Sequence, residues 1–145
     1  MSRLEPARYL EPTQEAGRDL MIRGHEGPLF MLNLLRFRPT ADYAAFPELA
    51  PGSPISGAQA FARYIAHTRP HLEASGGALM FLGEAGAFLI GPPGERWDLV
   101  MLVRQASLGA FMAFASDAAY LAGIGHRTAA LEDSRLLPVS GAWGD

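Results

Sequence analysis

Apolar residues recur along the chain with two different periods, and these periods predict its strands and helices. Three segments are apolar at both odd and even positions, which is typical of strands buried on both faces: 29–37, 78–91 and 97–103. Apolar residues follow helical spacing over 56–75 and 107–121. A last short strand is predicted over 135–140. The predicted order of the main elements is therefore β-α-β-β-α-β.

Residues that favour helix ends support the same division of the chain. An additional helix is predicted over 13–23, ahead of the first strand. Ser56 and Gln59 match a capping box at the start of the first main helix. Pro70 predicts a kink or an end of that helix, because proline has no amide hydrogen. Asp117 resembles a new N-cap, so we expect the second main helix to break there.

The predicted order is that of a ferredoxin-like fold of the α+β class, with an extra N-terminal helix. The length indicates a single domain over 1–145, with a core at about 27–140 and an N-terminal extension over 1–26. Both main helices would cover one face of a four-stranded antiparallel sheet and leave the other apolar face open. Because symmetric dimers are the commonest oligomers, we expect a homodimer that covers this face and forms a dimeric α+β barrel.

The connection over 38–55 is longer than most connections in compact domains, and it contains four prolines: Pro39, Pro47, Pro51 and Pro54. Long connections of this kind tend to be lids, partner contacts or disordered segments. The sequence does not decide whether this connection is a lid or an arm that reaches a second subunit.

Composition narrows the classes of partner and cofactor. The formal net charge is −3, so nothing indicates nucleic acid or a membrane as a partner. Cysteine is absent, which excludes disulfides, thiolate nucleophiles and cysteine-ligated metals. No apolar run reaches the roughly 20 residues of a membrane span, and the first residues lack the apolar segment of a signal peptide. We therefore expect a cytoplasmic bacterial protein.

Several motifs carry a resemblance to a known family: MLNLLRF, RYI, RWDLVMLVR, DAAY, HR and LEDSRLLP. They span about 13–138 and resemble the domain-of-unknown-function family 1330. The resemblance implies a ferredoxin-like domain of the dimeric α+β-barrel superfamily. That superfamily includes cofactor-independent oxygenases, isomerases, haem-degrading enzymes and plain ligand binders, so no single reaction is implied. Ala118 and the Gln105-Ala106-Ser107 ending of the third strand depart from the family's pattern, both at helix starts.

Three residues are candidates for catalysis: His126, Arg127 and Asp98. His126 can move a proton near neutral pH, and Arg127 supplies a permanent charge for an anionic substrate or an enolate. The alternative for this pair is a helix end that interacts with the helix dipole and nearby carboxylates. Asp98 could act as a base, or it could be a strand-end carboxylate that pairs with Arg104 or Arg127.

Five residues are candidates for ligand binding: Asn33, Arg36, Tyr64, Trp97 and Tyr120. Asn33 lies mid-strand among apolar neighbours, where a buried amide needs partners, and Arg36 could bind a carboxylate. Each candidate has a structural alternative, such as an amide satisfied by backbone, a rim salt bridge, or a core aromatic side chain. No metal site is expected, because the two histidines at i and i+4 on the first main helix flank a proline and lack a carboxylate.

The leading hypothesis is a homodimer with one small-molecule pocket per subunit, between the sheet and the helices. The ligand would be a small, partly apolar carbonyl or carboxylate compound. The reaction would be a proton transfer, as in isomerisation or cofactor-free oxygenation. No cofactor is expected, with haem binding through a histidine as a minor alternative. The competing hypotheses are a binder or sensor without turnover and a purely structural dimer.

Overall fold

The computed structural model describes residues 7–141. The strands form one antiparallel sheet in the order β2-β3-β1-β4: β1 (Leu29–Phe37), β2 (Ala78–Glu84), β3 (Leu99–Gln105) and β4 (Leu131–Ser140). The helices are α1 (Gln14–Arg23), α2 (Gly57–Ala74), α3 (Leu108–Ala115), α4 (Ala118–Leu121) and α5 (Ile124–Ala130). This order and connectivity confirm the predicted α+β, ferredoxin-like fold with an extra N-terminal helix.

Strand alternation sorts the side chains of the sheet onto two faces. Asn33 on β1 pairs with Met101 on β3 and Leu136 on β4, and this rung lies on the side that the helices cover. The next rung, on the opposite side, consists of Leu32, Leu102 and Leu137. The register thus fixes which polar residues of the strands can meet the helices.

The observed strand bounds differ from the prediction in every strand except β1. β2 ends at Glu84 rather than 91, and beyond it only an isolated bridge between Ala87 and Arg96 continues the pairing. β3 spans Leu99–Gln105 rather than 97–103, because these are the residues that pair with β1. β4 begins at Leu131, four residues early, because it pairs across a bulge with the end of β1 directly after α5.

The predicted helix signals agree with the structure, except at the proline. The Ser56 hydroxyl accepts a hydrogen bond from the Gln59 amide at 3.0 Å, and the Gln59 side chain accepts one from the Ser56 amide at 2.8 Å. The predicted break is confirmed, because Asp117 caps α4 by accepting from the Tyr120 amide at 3.1 Å. Pro70 does not end α2, which continues to Ala74.

The connection over 38–55 lies against α5. The amide of Asp42 donates to the carbonyl of Ala129 at 2.9 Å, and a short 3-10 helix forms at Pro47–Leu49. A Cβ on Gly125 would lie only 2.6 Å from the ring of Phe46, so this close approach requires glycine. The connection therefore forms part of the packed structure on the helix side.

The segment that precedes α1 runs along the start of β4. The Tyr9 amide donates to the Asp133 carboxylate at 2.8 Å, and the Ser134 hydroxyl donates to the Tyr9 carbonyl. The Arg8 guanidinium donates to the Leu131 carbonyl at 3.1 Å. α1 itself contains no buried residue. The hydrogen bonds of residues 8 and 9 thus tie the N-terminal region to the sheet, and α1 adds the partly buried Leu20, which packs against the core.

The face of the sheet that points away from the helices is mainly apolar. We call it the second face, and its apolar residues are Phe30, Leu32, Leu34, Phe81, Val100, Leu102, Leu137 and Val139. Arg104 and Arg135 lie on the same face, in the rungs of Phe30 and Leu34. Phe81 and Leu137 are each 57% exposed. Contiguous apolar surface of this kind usually marks an interaction site.

Within residues 7–141, no single helix is long and apolar enough to cross a membrane. α3 and the helical stretch Ala118–Ala130 reach that length and composition only as a pair, which is bent by 53°.

Candidate functional site

A cavity of about 480 Å³ lies between the sheet and the helices. Its walls come from the helix-side face of the sheet, from α2 to α5, and from the segment before α1. Most of the wall is apolar: Met31, Leu72, Leu79, Met101, Val103, Phe111, Phe114 and Ile124. This size and lining are typical of sites for small organic ligands.

Two tyrosines and an arginine form a polar group in the cavity wall. The hydroxyls of Tyr64 on α2 and Tyr120 on α4 lie 2.8 Å apart, and both side chains are buried. Burial, together with the Tyr120 hydroxyl, raises the pKa of Tyr64, while the positive charge of Arg127 opposes the rise. Tyr64 therefore stays protonated and can donate or accept a hydrogen bond, but it is not a base at neutral pH.

Arg127 brings a permanent positive charge to the same wall. Its guanidinium donates to the Leu10 carbonyl at 2.5 Å and to the Ser134 hydroxyl at 3.3 Å. These partners are neutral, so they satisfy hydrogen bonds without cancelling the charge. No carboxylate of residues 7–141 lies within ion-pair distance of this guanidinium. The cavity thus has one partly buried cation without a counter-ion in the described part of the chain.

Asn33 lines the cavity from the centre of β1. Its side-chain NH2 group donates to the backbone carbonyls of Met31 at 3.1 Å and Met101 at 3.3 Å. The backbone therefore fixes the amide, as the structural alternative expected. The amide oxygen is the part of Asn33 that can serve a ligand.

Two further polar residues of the cavity wall are buried, and neither was predicted from the sequence as a site residue. The side-chain oxygens of Thr68 on α2 and Gln105 on β3 are buried without a hydrogen-bond partner in the described part of the chain. Thr68 helps to lower the pKa of Tyr64, yet no hydrogen bond of normal geometry joins the two. The sequence offered a signal for Thr68 alone, because the helical period places it on the otherwise apolar face of α2, whereas Gln105 lies beyond the predicted end of its strand.

His126 lies outside the cavity, although Arg127 follows it directly. Its Nδ1 is 2.8 Å from the hydroxyl of Tyr43, in the connection over 38–55. Burial and the positive charges of Arg63 and His67 lower the pKa of His126. The imidazole is therefore kept neutral and holds the connection against α5. His126 was expected in the cavity wall, but it does not line this cavity, because its ring contacts Tyr43 instead.

Asp98 and Trp97 are also outside the cavity, at the other end of β3. Asp98 accepts a hydrogen bond from the Phe37 amide at 2.8 Å and lies 3.5 Å from the Arg96 guanidinium. The carboxylate is thus a strand-end partner, as expected, but with Arg96 rather than Arg104 or Arg127. The Trp97 indole donates to the Glu95 carboxylate at 3.0 Å.

Arg36 packs over Trp97 rather than lining the cavity. Its guanidinium carbon lies 4.5 Å from the Trp97 ring centre, and Arg135 approaches the same ring at 5.0 Å. Both arginines also lie near the Asp133 carboxylate, at 3.7 Å and 2.9 Å. Arg36 therefore belongs to a cation–aromatic network beside the sheet, on the side away from the cavity.

The structure thus brings together four of the eight predicted site residues. Asn33, Tyr64, Tyr120 and Arg127 line the cavity. The remaining four lie elsewhere: Arg36, Trp97, Asp98 and His126. Among residues 7–141, no three histidine, aspartate or glutamate side chains are arranged to hold a metal ion. The site is an apolar chamber with hydroxyl, amide and guanidinium groups.

A ferredoxin-like domain with a cavity on the helix side defines the class of this protein. The chain is similar to the RPA0582 protein of Rhodopseudomonas palustris, a protein of unknown function, in two crystal structures. One, of the methylated protein, is 35% identical, covers 94% of this chain and 96% of that chain, and has a TM-score of 0.82. The other is 34% identical, covers 95% and 100%, and has a TM-score of 0.80. The chain belongs to the family of RPA0582.

More distant structures share the fold alone. A protein of Mesorhizobium loti, described as a dabb family protein with a ferredoxin-like fold, is 11% identical over 81% of this chain and all of its own, with a TM-score of 0.46. A likeness this distant carries no argument about function. No protein-family model and no curated protein matches the chain, so family 1330 in particular is not supported.

Proposed function

We propose that this protein binds a small, partly apolar carboxylate or carbonyl compound in the cavity between its sheet and its helices. The proposal rests mainly on the Arg127 guanidinium, which lies in the wall of an apolar cavity. Among residues 7–141, this guanidinium forms no ion pair with a carboxylate. An unopposed charge in such surroundings favours an anionic ligand, because a carboxylate can form charge-assisted hydrogen bonds with it. The hydroxyls of Tyr64 and Tyr120 would add neutral hydrogen bonds beside it.

Binding without turnover is the better supported form of this proposal. The described residues that line the cavity include no histidine, and Glu11 is their only carboxylate. Tyr64, with its raised pKa, is a poor base at neutral pH. A proton-transfer reaction with His126 and Asp98 as catalytic groups stays a prediction, and it would require both side chains to reach a ligand that they do not approach in this structure.

The binding test compares two arginines of the same cavity wall. Arg69 also lines the cavity, but it is exposed and pairs with Glu73 at 3.0 Å on α2. We expect Arg127→Met to weaken the binding of decanoate, measured by isothermal titration calorimetry, by about 10-fold or more, since a hydrogen bond to a charged group contributes roughly 1.5–3 kcal/mol. Arg69→Met should leave the affinity within about 2-fold. Equal binding of decanoate by the wild type and Arg127→Met would contradict the proposal.

We further propose that the protein forms a homodimer through the second face, as in a dimeric α+β barrel. The support is the run of apolar side chains on this face, with Leu102 between Leu32 and Phe81 near its centre. The connection between β2 and β3 also carries exposed apolar side chains, since Leu89 is 99% exposed and Ile90 is 91% exposed. A second copy is the simplest partner of matching chemistry. We also propose a cytoplasmic location and membership of family 1330, both expected from the sequence.

The dimer is tested by placing a charge at its centre. We expect the wild type to sediment as a dimer in analytical ultracentrifugation and Leu102→Asp to sediment as a folded monomer, because a buried unpaired carboxylate is costly. The matched control is Met112→Asp, which places the same charge on an exposed apolar residue of α3. This control should remain a dimer. A monomeric wild type would contradict the homodimer.

A further inference from the structure

Gln105 is a polar residue of the cavity wall that lies at a distance from Arg127. It is the last residue of β3, is only 2% exposed, and lies on the helix-side face of the sheet. Its cross-strand neighbour is Leu29, and Val103 precedes it on the same face. Its surroundings within the sheet are therefore apolar.

The side-chain oxygen of Gln105 has no hydrogen-bond partner among residues 7–141. A buried polar atom without a partner lowers the stability of the folded protein. A water molecule would need two to four polar partners to stay at such a place, and the apolar neighbours within the sheet do not supply them. Because Gln105 lines the cavity, a ligand group that enters the cavity can supply the missing donor.

The register of the sheet separates this oxygen from Arg127. Gln105 lies opposite Leu29, whereas Ser134, which Arg127 contacts, lies opposite Leu35. Leu29 and Leu35 are six residues apart along β1, so the backbone at these two positions is roughly 20 Å apart. The side chains of Gln105 and Arg127 are long, so the distance between their polar groups is shorter than this. The wall also includes Met31, Leu72, Met101 and Phe114.

We propose that the ligand is bipolar: an anionic group binds at Arg127, and a hydrogen-bond donor, a hydroxyl or an N–H group, binds at Gln105, with an apolar segment between them. This inference rests on the proposed function and adds the chemistry of the ligand's second end. A ligand with an apolar second end would leave the Gln105 oxygen unsatisfied. The amide therefore selects among carboxylates of similar length.

The test compares two probes that differ by one hydroxyl, 10-hydroxydecanoate and decanoate, by isothermal titration calorimetry. The wild type should bind 10-hydroxydecanoate roughly 2- to 10-fold more tightly, which is the range of one neutral hydrogen bond. Gln105→Met keeps the length of the side chain and removes the amide, so it should abolish this preference. The matched control is Gln14→Met, which makes the same replacement on the exposed helix α1, outside the cavity, and should leave the ratio of the two affinities unchanged.

The outcomes separate the two proposals. If both probes bind the wild type equally and Gln105→Met leaves their ratio unchanged, the bipolar ligand is wrong and the carboxylate site stands. If neither probe binds the wild type, both proposals fail. Ligand-free stability gives an independent measurement. Gln105→Met should raise the Tm by about 2 °C or more, because it removes an unsatisfied buried oxygen. A lower Tm with an unchanged affinity ratio would make Gln105 a structural residue and overturn the inference.

Discussion

His126 and Arg127 are adjacent in the sequence, yet they belong to two different regions of the molecule. Arg127 reaches the cavity wall, where it also holds the Leu10 carbonyl. His126 contacts Tyr43 and lies near Arg63 and His67, which disfavour a positive charge on its ring. One step along an α-helix turns the side chain by about 100°, which suffices to separate the two. Adjacent residues of suitable chemistry therefore do not make a catalytic pair.

The two regions also differ in electrostatics. Around His126, Arg63 and His67 disfavour a further positive charge, so the histidine is held neutral. Around Arg127, the described partners are a carbonyl and a hydroxyl, so its charge stays available. The first region thus has the character of a structural contact between the connection over 38–55 and α5. The second has the character of an anion site.

The largest expected difference between the two residues is in ligand affinity, measured on one variant of each residue. Arg127→Met should weaken decanoate binding by about 10-fold or more, whereas His126→Gln should change it by less than about 2-fold. Isothermal titration calorimetry at neutral pH measures both. A larger loss for His126→Gln than for Arg127→Met would reverse the assignment of the two regions.

A smaller effect concerns the stability that Tyr43 provides. Tyr43→Phe removes the hydrogen bond to His126 and should lower the free energy of unfolding by about 0.5–1.5 kcal/mol. Decanoate affinity should not change, because neither residue lines the cavity. Denaturant unfolding together with calorimetry checks both statements. An unchanged stability with a lost affinity would place Tyr43 in the binding site instead.

The pH dependence of stability should differ between wild type and His126→Gln. The folded-state pKa of His126 lies below the ordinary value of 6.5, so the unfolded chain binds the proton more readily. Above about pH 6.5 the histidine is neutral in both states and carries no penalty. As the pH falls below this value, the wild type should lose stability until the folded-state pKa is passed, and His126→Gln should lose less. Urea unfolding between about pH 7 and pH 5 measures the difference, and parallel curves would contradict it.

The smallest expected effect belongs to Arg69. Its ion pair with Glu73 is exposed, so Arg69→Met should change the free energy of unfolding by less than about 0.5 kcal/mol. Its decanoate affinity should match that of the wild type. A substantial loss of affinity would show that any positive charge near the cavity supports binding, which would weaken the specific role of Arg127.

The sequence predicts the fold of this protein better than its site. The double periodicity of 29–37 correctly places Asn33 on a buried strand, and the caps at Ser56 and Asp117 correctly begin their helices. Strand and helix periods are local properties, so they are available without the tertiary structure. The direction of His126 depends on where α5 begins after Gly123, which the sequence does not specify.

The orientation of Gln105 on the sheet could not be predicted from the local sequence either. In the sequence it stands just before the helix cap at Ser107, and the predicted strand ends before it. Only the pairing of β3 with β1 as far as Leu29 extends the strand and turns Gln105 toward the helices. Its missing partner depends on packing from several elements, so no local pattern could reveal it.

A crystal structure of the protein with bound decanoate would test most directly whether Arg127 is the anion site. We predict the carboxylate in the cavity, with an oxygen within about 3 Å of the Arg127 guanidinium and the alkyl chain extending toward Gln105. A carboxylate bound beside His126 and Tyr43, with the cavity free of the ligand, would contradict the assignment of Arg127 as the anion site.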